Sequence, residues 1–332
     1  MPAVGLSSPM CRMQCSLHLV DGTTYTLPCT DPLMNTVAPD RVRVAASQYF
    51  LRPINAFEEF LEQARSVVAT SAGYNSRLLV LPEYFTLQLA ALDDPHKPIS
   101  EIVRGVADHV PRFLDFMADI SRRYDMYIVA GTIPALGDDD RVRNDCYVFS
   151  PTGEWHRQGK LHMTRFERDD WDVIERDRLT VFETDFGRMA VAVCYDVEFP
   201  ELVRSLARYG IDILAVPSST DDRHGFLRVR YCAHARAIEN QLYVIHSPTV
   251  GGLPWVPDLS LNYGSAAILT PCDYPFARDG ILTEGVLNQD MVTIGELDLR
   301  AIDSSRTFGT VLPLSDARHT LELTHNIDIV KM

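Results

Sequence analysis

Three residues whose types can act together in acyl chemistry each come after a predicted strand. Glu83 follows "LLVLP", Lys160 comes after the strand and turn "NDCYVFSPTG", and Cys194 follows "MAVAV". A thiolate is a nucleophile, a carboxylate can accept its proton and pass it to a leaving group, and a cation can stabilise an oxyanion. The three residue types therefore predict nucleophilic attack on a carbonyl or nitrile carbon, with Cys194 as the nucleophile.

Each of these residues has an ordinary explanation when it is taken alone. A single cysteine is more often a small buried hydrophobic residue, and a single lysine is usually exposed at the surface. A carboxylate after a buried strand either caps neighbouring backbone or works as a buried acid or base. The chemical prediction therefore depends on the combination of the three residues.

The segment "GRMAVAVCYDVEFPELVRSLARYG" predicts a strand, a sharp turn at Cys194 and a helix. Pro200 suits the first turn of the helix, and Gly210 suits the position after its last turn. The buried face predicted for this helix consists of Leu202, Val203, Leu206 and Ala207. Such a turn exposes the cysteine as in a nucleophile elbow, and helix-end amides favour its thiolate.

Strands alternate with helices along most of the chain, which is typical of an α/β fold. The segments "VRVAASQYF", "RLLVLPEYF", "IDILAVPSS" and "QLYVIHSP" predict strands. Residues 41–332 are therefore expected to form one α/β domain with a C-terminal tail. Residues 1–40 differ, because "QCSLHLVDGTTYTLPC" predicts a hairpin around Asp21-Gly22. We expect this N-terminal extension to be dispensable for the chemistry.

The composition excludes several functional classes. The 332 residues are 46% hydrophobic and 23% charged, as in globular proteins, and the net charge is −14. An acidic chain disfavours nucleic acid and anionic membrane surfaces as partners. The first residues lack the charged head and apolar core of a secretory signal, and the seven cysteines are an odd, scattered set. These features predict a cytoplasmic protein without a disulfide framework.

The motifs that hold cofactors are also missing from the sequence. We find no phosphate-binding loop, no dinucleotide glycine pattern and no zinc-ligand spacing. Neither a metal nor any other cofactor is therefore expected.

Three motifs resemble those of the nitrilase superfamily, the carbon–nitrogen hydrolases with a Glu-Lys-Cys triad. "LPEYF" is similar to the motif of the catalytic glutamate, "GKLHMTRFE" to that of the lysine, and "VAVCYDVEFPEL" to that of the cysteine. The resemblance covers residues 41–310, which is most of the chain. It implies a four-layer α-β-β-α sandwich and a homodimer or a higher homo-oligomer.

The resemblance also implies a role for each motif residue. Glu83 is the expected general base and acid, and Cys194 is the expected nucleophile. Lys160 and the backbone N–H of Tyr195 are expected to hold the oxyanion.

A second glutamate, which orients the lysine or the substrate, is also part of the resemblance. Glu167 is the first candidate for this role. Glu175 is the alternative, because the segment after the lysine varies in length among relatives. The chain also has Gln158-Gly159 before the lysine, where relatives often have Tyr-Arg.

The implied reaction is hydrolysis of the non-peptide C–N bond of a small amide through a cysteine thioester. The sequence Cys194-Tyr195-Asp196 favours amides over nitriles, because true nitrilases usually have Cys-Trp-Glu there. The alternatives are an N-carbamoyl amine hydrolase, a nitrilase, a Cys–His hydrolase and a non-catalytic interaction protein of the same fold. Longer stretches such as "TDDRHGFLRVRYCAHARAIENQLYV" resemble the hydrolase half of bacterial acetyltransferase–hydrolase fusion proteins.

Four further residues are candidates for substrate binding. Tyr84 follows the glutamate motif, Glu198 lies four residues after the nucleophile, and Asp221 and Asp222 follow the predicted strand "ILAVPSS". Carboxylates at strand ends predict a cationic amide, such as a derivative of a di- or polyamine. The alternative is that nearby arginines neutralise these acids: Arg204, Arg223 and Arg228.

Overall fold

The computed structural model describes residues 14–18, 24–28, 39–256, 259–323 and 327–332. The chain divides into two units, Met1–Ala38 and Pro39–Met332. In the first unit, strand β1 (Gln14–His18) pairs antiparallel with β2 (Thr24–Pro28). The turn expected at Asp21-Gly22 lies outside the described residues.

The second unit contains the remaining elements. Its strands are β3 (Arg41–Leu51), β4 (Leu78–Leu81), β5 (Tyr127–Leu136), β6 (Val142–Phe149), β7 (Trp155–Gly159), β8 (Val173–Ile174), β9 (Val181–Thr184), β10 (Gly187–Val191), β11 (Ile213–Ser218), β12 (Tyr243–Gly251), β13 (Ala267–Leu269), β14 (Ile281–Glu284) and β15 (Met291–Asp298). Its α-helices are α1 (Phe57–Gly73), α2 (Ile99–Val106), α3 (Val110–Tyr124), α4 (Arg165–Asp169), α5 (Pro200–Arg208), α6 (Arg223–Asn240), α7 (Leu299–Phe308) and α8 (Pro313–Leu323).

The strands of this unit form two sheets that meet along one short pairing. One sheet has the order β7-β6-β5-β4-β3-β15, with β8 beside β6, and its central pairs β3–β4 and β4–β5 are parallel. The other has the order β9-β10-β11-β12-β13-β14, with parallel pairs β10–β11 and β11–β12. The ends of β3 and β12 pair in parallel and join the two sheets.

Alternating side chains of β3 and β4 show why four layers form. Val44 and Leu78 belong to the core that also contains the strands of the second sheet and helices α5 and α6. Ala45 and Leu79 point the other way, into the core formed with α1 and α3. Since successive side chains of a strand face opposite sides, each sheet can pack on the other sheet and on helices. The expected α-β-β-α sandwich is therefore confirmed.

The segment around Cys194 differs in one respect from the prediction. Helix α5 begins at Pro200 and buries the four predicted residues, but it does not follow the cysteine directly. A short 3₁₀ helix, Cys194–Glu198, lies between β10 and α5.

Among the described residues, no helix combines the length and the apolar character that crossing a bilayer requires.

Candidate active site

The end of β4 positions the first predicted catalytic residue. Pro82 ends the strand because it has no N–H to donate, and Glu83 follows it with only 1% of its surface exposed. Tyr84 then has a positive φ of 54°, and its N–H donates to Thr132 Oγ1 at 2.9 Å. This left-handed turn at the strand end directs the carboxylate of Glu83 into the interior.

The carboxylate of Glu83 accepts hydrogen bonds from three different elements. Lys160 Nζ and Asn144 Nδ2 donate to its Oε1 at 2.8 and 3.0 Å. The backbone N–H of Ser219, just after β11, donates to its Oε2 at 3.0 Å. Donors from both sheets therefore fix this carboxylate, as burial of an acid requires.

Lys160 is the cation at the centre of the site. It directly follows β7, it is 1% exposed, and its backbone N–H donates to Asn144 O at 2.9 Å. Its Nζ donates to Glu83 and, at 2.8 and 2.6 Å, to both oxygens of Glu167. The ammonium thus lies between two carboxylates, which offsets the cost of burying its charge.

A capping box holds Glu167 beside the lysine. Helix α4 begins after Thr164, whose N–H and hydroxyl donate to Glu167 Oε2 at 2.9 and 2.7 Å. The hydroxyl of Tyr84 donates to Glu167 Oε1 at 2.7 Å. Glu175 is exposed and lies outside the group of charged residues. The structure therefore brings Glu167, and not Glu175, into contact with Lys160.

Cys194 opens the 3₁₀ helix with a strained backbone. Its φ is +48°, a region in which a non-glycine residue costs on the order of 1–3 kcal/mol. Its Sγ lies 3.6 Å from the carbonyl oxygen of Ser219, whose N–H holds Glu83. The backbone of one residue, Ser219, thus contacts both the thiol and the carboxylate. The N–H of Tyr195 lies in the first turn of the 3₁₀ helix, where amides have no helical acceptor.

The pKa values of the two buried carboxylates are shifted in opposite directions. Burial raises the pKa of Glu83 to about 7; Lys160 lowers this pKa in part, and the Glu167 anion raises it further. Burial also acts to raise the pKa of Glu167, but the Lys160 ammonium and the hydrogen bonds from Lys160 and Thr164 outweigh burial and lower it. Glu83 can therefore exchange a proton near neutral pH, while Glu167 stays ionised.

The other two groups keep their protons in this environment. Burial lowers the pKa of Lys160, but the Glu167 and Glu83 carboxylates overcome that effect and raise it, so the ammonium is permanent. Burial and the Glu83 carboxylate raise the pKa of Cys194 well above its usual range, against the smaller effect of Lys160. The net shift is opposite to the thiolate that helix-end amides were expected to favour, so a base must take the proton of the thiol.

These groups open into a cavity of about 240 Å³. Seven of the residues predicted from the sequence line it: Glu83, Tyr84, Lys160, Cys194, Tyr195, Glu198 and Asp221. An apolar part of the wall comes from Phe166, Trp171 and Leu259. A cavity of this size admits a small molecule and surrounds it on one side with aromatic rings.

The carboxylates predicted to bind a cationic substrate have different surroundings. Glu198 Oε1 accepts from Arg228 Nε at 2.8 Å, so an arginine neutralises this acid at the cavity wall. Asp221 lines the cavity and is exposed. Asp222 does not line it; its Oδ1 caps α6 by accepting from Gly225 N at 2.7 Å. Asp221 and Asp222 were both expected to bind a cationic substrate, but only Asp221 lies at the cavity.

Sequence reasoning missed three residues that hold the charged groups, namely Asn144, Thr164 and Ser219. The spacing Thr164-x-x-Glu167 is a capping-box signature and was visible in the sequence. It would have favoured Glu167 over Glu175. Asn144 and Ser219 give no such signal, because they reach Glu83 only through the pairing of strands that are distant in sequence.

Among the described residues, no group of three His, Cys, Asp or Glu side chains could hold a metal ion.

The family model for carbon-nitrogen hydrolases matches residues 43–306. The chain belongs to the carbon-nitrogen hydrolase family. The resemblance to the nitrilase superfamily is thereby confirmed, and the matched segment contains every charged residue of the site.

Known proteins similar to this carbon-nitrogen hydrolase include relatives of different length. The probable hydrolase YhcX of Bacillus subtilis is 38% identical over 280 residues, which is 84% of this chain but 54% of YhcX, so the chain spans about half of that protein. The deaminated glutathione amidase of Synechocystis is 30% identical over 68% of this chain and 83% of its own length.

A solved structure of an amidase from Nesterenkonia sp. shares the fold of this carbon-nitrogen hydrolase. Its TM-score is 0.64 at 19% identity, over 85% of this chain and 96% of that one. In that mutant amidase, the acetamide moiety of fluoroacetamide is added covalently at the active site cysteine.

Proposed function

We propose that this carbon-nitrogen hydrolase cleaves a small amide through a thioester on Cys194. The observation that carries the proposal is the shared cavity: Cys194, Glu83 and Lys160 all line it, with Lys160 Nζ 2.8 Å from Glu83. The products are a carboxylic acid and an amine or ammonia. The name of the Synechocystis relative and the covalent adduct in the Nesterenkonia amidase support an amide as the substrate.

In the first half of the reaction, Glu83 is the base. It takes the Sγ proton as the sulfur attacks the amide carbon, and the carbonyl electron pair moves onto oxygen. The Lys160 ammonium and the Tyr195 N–H stabilise the resulting oxyanion. Protonated Glu83 then gives its proton to the leaving nitrogen, the C–N bond breaks, and a thioester is left on Cys194.

The second half repeats these steps with water. Glu83 takes a proton from water as the oxygen attacks the thioester carbon, and the tetrahedral intermediate again places its negative oxygen near Lys160. Its collapse releases the acid, and Glu83 returns the proton to the sulfur of Cys194. Amide and water are consumed, acid and amine are released, and the enzyme is unchanged.

The alternative functions differ in their fit to the cavity. A carbamoyl amine or a nitrile would use the same nucleophile, so both belong in any substrate panel. A Cys–His hydrolase is disfavoured, since no histidine is among the described residues that line the cavity. A non-catalytic role would not require the pKa of Glu83 to be raised while that of Glu167 is lowered.

The cationic substrate is the part of the proposal with the most specific test. Arg228 occupies one oxygen of Glu198, so Asp221 is the acid we propose for an amine on the substrate. Asp222 is the matched control because it caps α6. We expect Asp221→Asn to raise KM for an amine-bearing amide but not for its neutral isostere. An unchanged KM for the amine-bearing amide in this variant, or equal KM values for both amides in the wild type, contradicts the cationic substrate and leaves the amidase proposal intact.

The place of the chain within its superfamily is also a proposal. YhcX is longer than this chain and is similar over about half its length. We propose that the chain corresponds to the hydrolase half of the acetyltransferase–hydrolase fusion proteins that its longer motifs resemble. A cytoplasmic location and a homodimer or larger assembly are part of the same proposal.

A substrate panel tests the proposed function. Small amides, carbamoyl amines and nitriles are assayed for release of acid, amine and ammonia with the wild type, Cys194→Ala and Glu83→Gln. We expect an amide to be turned over and both variants to be inactive, with folded structure retained in Cys194→Ala. Full activity of the purified Cys194→Ala variant contradicts the proposal.

A further inference from the structure

Asn144 on β6 contacts all three charged residues of the site. Its Nδ2 lies 3.0 Å from Glu83 Oε1 and 3.4 Å from Glu167 Oε1. Its carbonyl oxygen accepts the backbone N–H of Lys160 at 2.9 Å. The side chain is 1% exposed and is not part of the cavity lining, so it acts on the other residues and not on the substrate.

The orientation of this amide follows from its neighbours. Two carboxylate oxygens face one end of the side chain, and only the NH₂ end can donate to them. The opposite atom, Oδ1 of Asn144, is buried and has no hydrogen-bond partner among the described residues. An unpaired buried acceptor is unfavourable. The amide therefore keeps this orientation because of the two carboxylates and not because of its own carbonyl.

We propose that Asn144 is a positioning residue that holds the carboxylate of Glu83 toward Cys194 by bridging it to Glu167. The inference rests on the proposed function, in which Glu83 moves the proton. Glu83 Oε1 has two donors, Asn144 and Lys160. Without the asparagine donor, only Lys160 on Oε1 and the Ser219 N–H on Oε2 hold the carboxylate. The carboxylate is then less firmly aimed at the thiol.

The loss of this donor also changes the proton affinity of Glu83. A hydrogen bond to the ionised form of a carboxylate favours that form, so its removal raises the pKa. The charged and titratable groups that face Glu83 are Lys160, Glu167, Cys194 and Tyr84. The Asn144→Asp variant keeps the volume and the strand but replaces the donor by a further carboxylate, which raises the pKa of Glu83 more strongly.

The test uses a probe that needs no substrate. The rate of alkylation of Cys194 by iodoacetamide is measured against pH by peptide mass spectrometry in wild type, Asn144→Asp and Asn144→Ser. The control is Asn240→Ala, a buried asparagine on α6 whose amide bonds Arg236 O. The alkylation rate is expected to rise with pH as Glu83 ionises and becomes able to take the thiol proton. Because both Asn144 variants raise the pKa of Glu83, we expect the midpoint of this rise to move to higher pH by about one unit or more, which corresponds to one hydrogen bond to a charged group. The control is expected to keep the wild-type midpoint.

The same variants are then assayed with the amide that the panel identifies. We expect kcat to fall about tenfold or more with little change in KM, since misplacement of a catalytic group affects the chemical step. Wild-type midpoints in both folded Asn144 variants overturn the inference. If Glu83→Gln also leaves the alkylation profile of Cys194 unchanged, it is the role of Glu83 in the proposed function that fails.

Discussion

At the scale of single residues, the site depends on two glutamates that share one lysine and have different surroundings. Glu83 accepts from Asn144, Lys160 and Ser219 and keeps a pKa of about 7 because it is buried. Glu167 is held by the lysine and by Thr164 and has a lowered pKa. In the proposed mechanism, this difference fits proton transfer by Glu83 and charge compensation by Glu167.

The acid limb of the pH–rate profile tests this division. Because Glu83 must be ionised to act as the base, we expect kcat/KM to fall below a pH of about 7. The Glu167 anion raises the pKa of Glu83, so Glu167→Gln is expected to lower kcat and to move this limb to lower pH. The exposed Glu175→Gln is the control and keeps the wild-type limb. A shift in the control, or none in Glu167→Gln, contradicts the assignment.

The same raised pKa predicts how stability depends on pH. The pKa of Glu83 rises from about 4.5 to about 7 on folding, so the unfolded chain loses this proton first as the pH rises. The wild type therefore loses stability between these values, and Glu83→Gln lacks this loss. We expect the free energy of unfolding of the variant, relative to wild type, to increase by roughly 1–3 kcal/mol from pH 5 to pH 8. Urea unfolding of both proteins at pH 5 and pH 8 measures this change. The same difference in free energy of unfolding at both pH values would contradict the prediction.

At the scale of elements, strand ends bring the proposed catalytic groups together. Glu83 follows β4, Lys160 follows β7, and the peptide of Ser219 follows β11. The sequence predicted the strand before Glu83, because its end is visible locally as a change from apolar to polar residues, whereas β7 before Lys160 is itself mostly polar and gave no such signal. It could not predict the contact of Ser219 with Glu83, since that contact requires the two sheets to be packed face to face.

The turn at the cysteine shows the same limit. The buried face of α5 was predictable from the spacing of its apolar residues and from Pro200. The 3₁₀ helix before it was not, because its residues, Cys194–Glu198, have no pattern that separates it from an extended turn. Positive φ at Cys194 is likewise a result of the tertiary structure and not of the residue's own preference.

The start of α6 gives a prediction about an acid that does not bind substrate. Asp222 caps this helix through Gly225 N, and such a cap is worth about 1 kcal/mol. We expect Asp222→Ala to lower the free energy of unfolding by that amount with KM unchanged, whereas Asp222→Asn retains most of the stability. Chemical denaturation and steady-state kinetics check both. A rise in KM with unchanged stability would place Asp222 in substrate binding instead.

At the scale of the whole molecule, the candidate active site belongs to the second unit. Each charged residue of the site lies between Pro39 and Met332. The backbone hydrogen bonds of this unit begin at Asp40, whose carbonyl oxygen accepts from Leu299 N at 2.9 Å. The matched family segment starts at residue 43. The α/β architecture was predictable from alternating strands and helices, whereas the pairing of β3 with β12 involves residues about 200 positions apart.

Removal of the first unit is therefore expected to leave the reaction intact. A chain that begins at Pro39 retains every strand of the two sheets and every residue of the cavity. We expect it to fold and to keep kcat/KM within about twofold of the full chain, since the charged residues of the site and the lining of the cavity all belong to the second unit. Circular dichroism, gel filtration and kinetics measure this. Complete inactivity of a folded chain with unchanged oligomeric state assigns residues 1–38 to the site.

The central claim is that the acyl group of the substrate is transferred to Cys194 as a thioester before water releases it. An acyl-enzyme retains no trace of the amine that left, so its partition between water and added hydroxylamine depends only on the acyl group. A primary amide and its N-substituted analogues with the same acyl group are therefore compared, and the hydroxamate-to-acid ratio is measured for each. We predict the same ratio for all of them, and neither product from Cys194→Ala. A ratio that changes with the leaving amine would contradict the thioester.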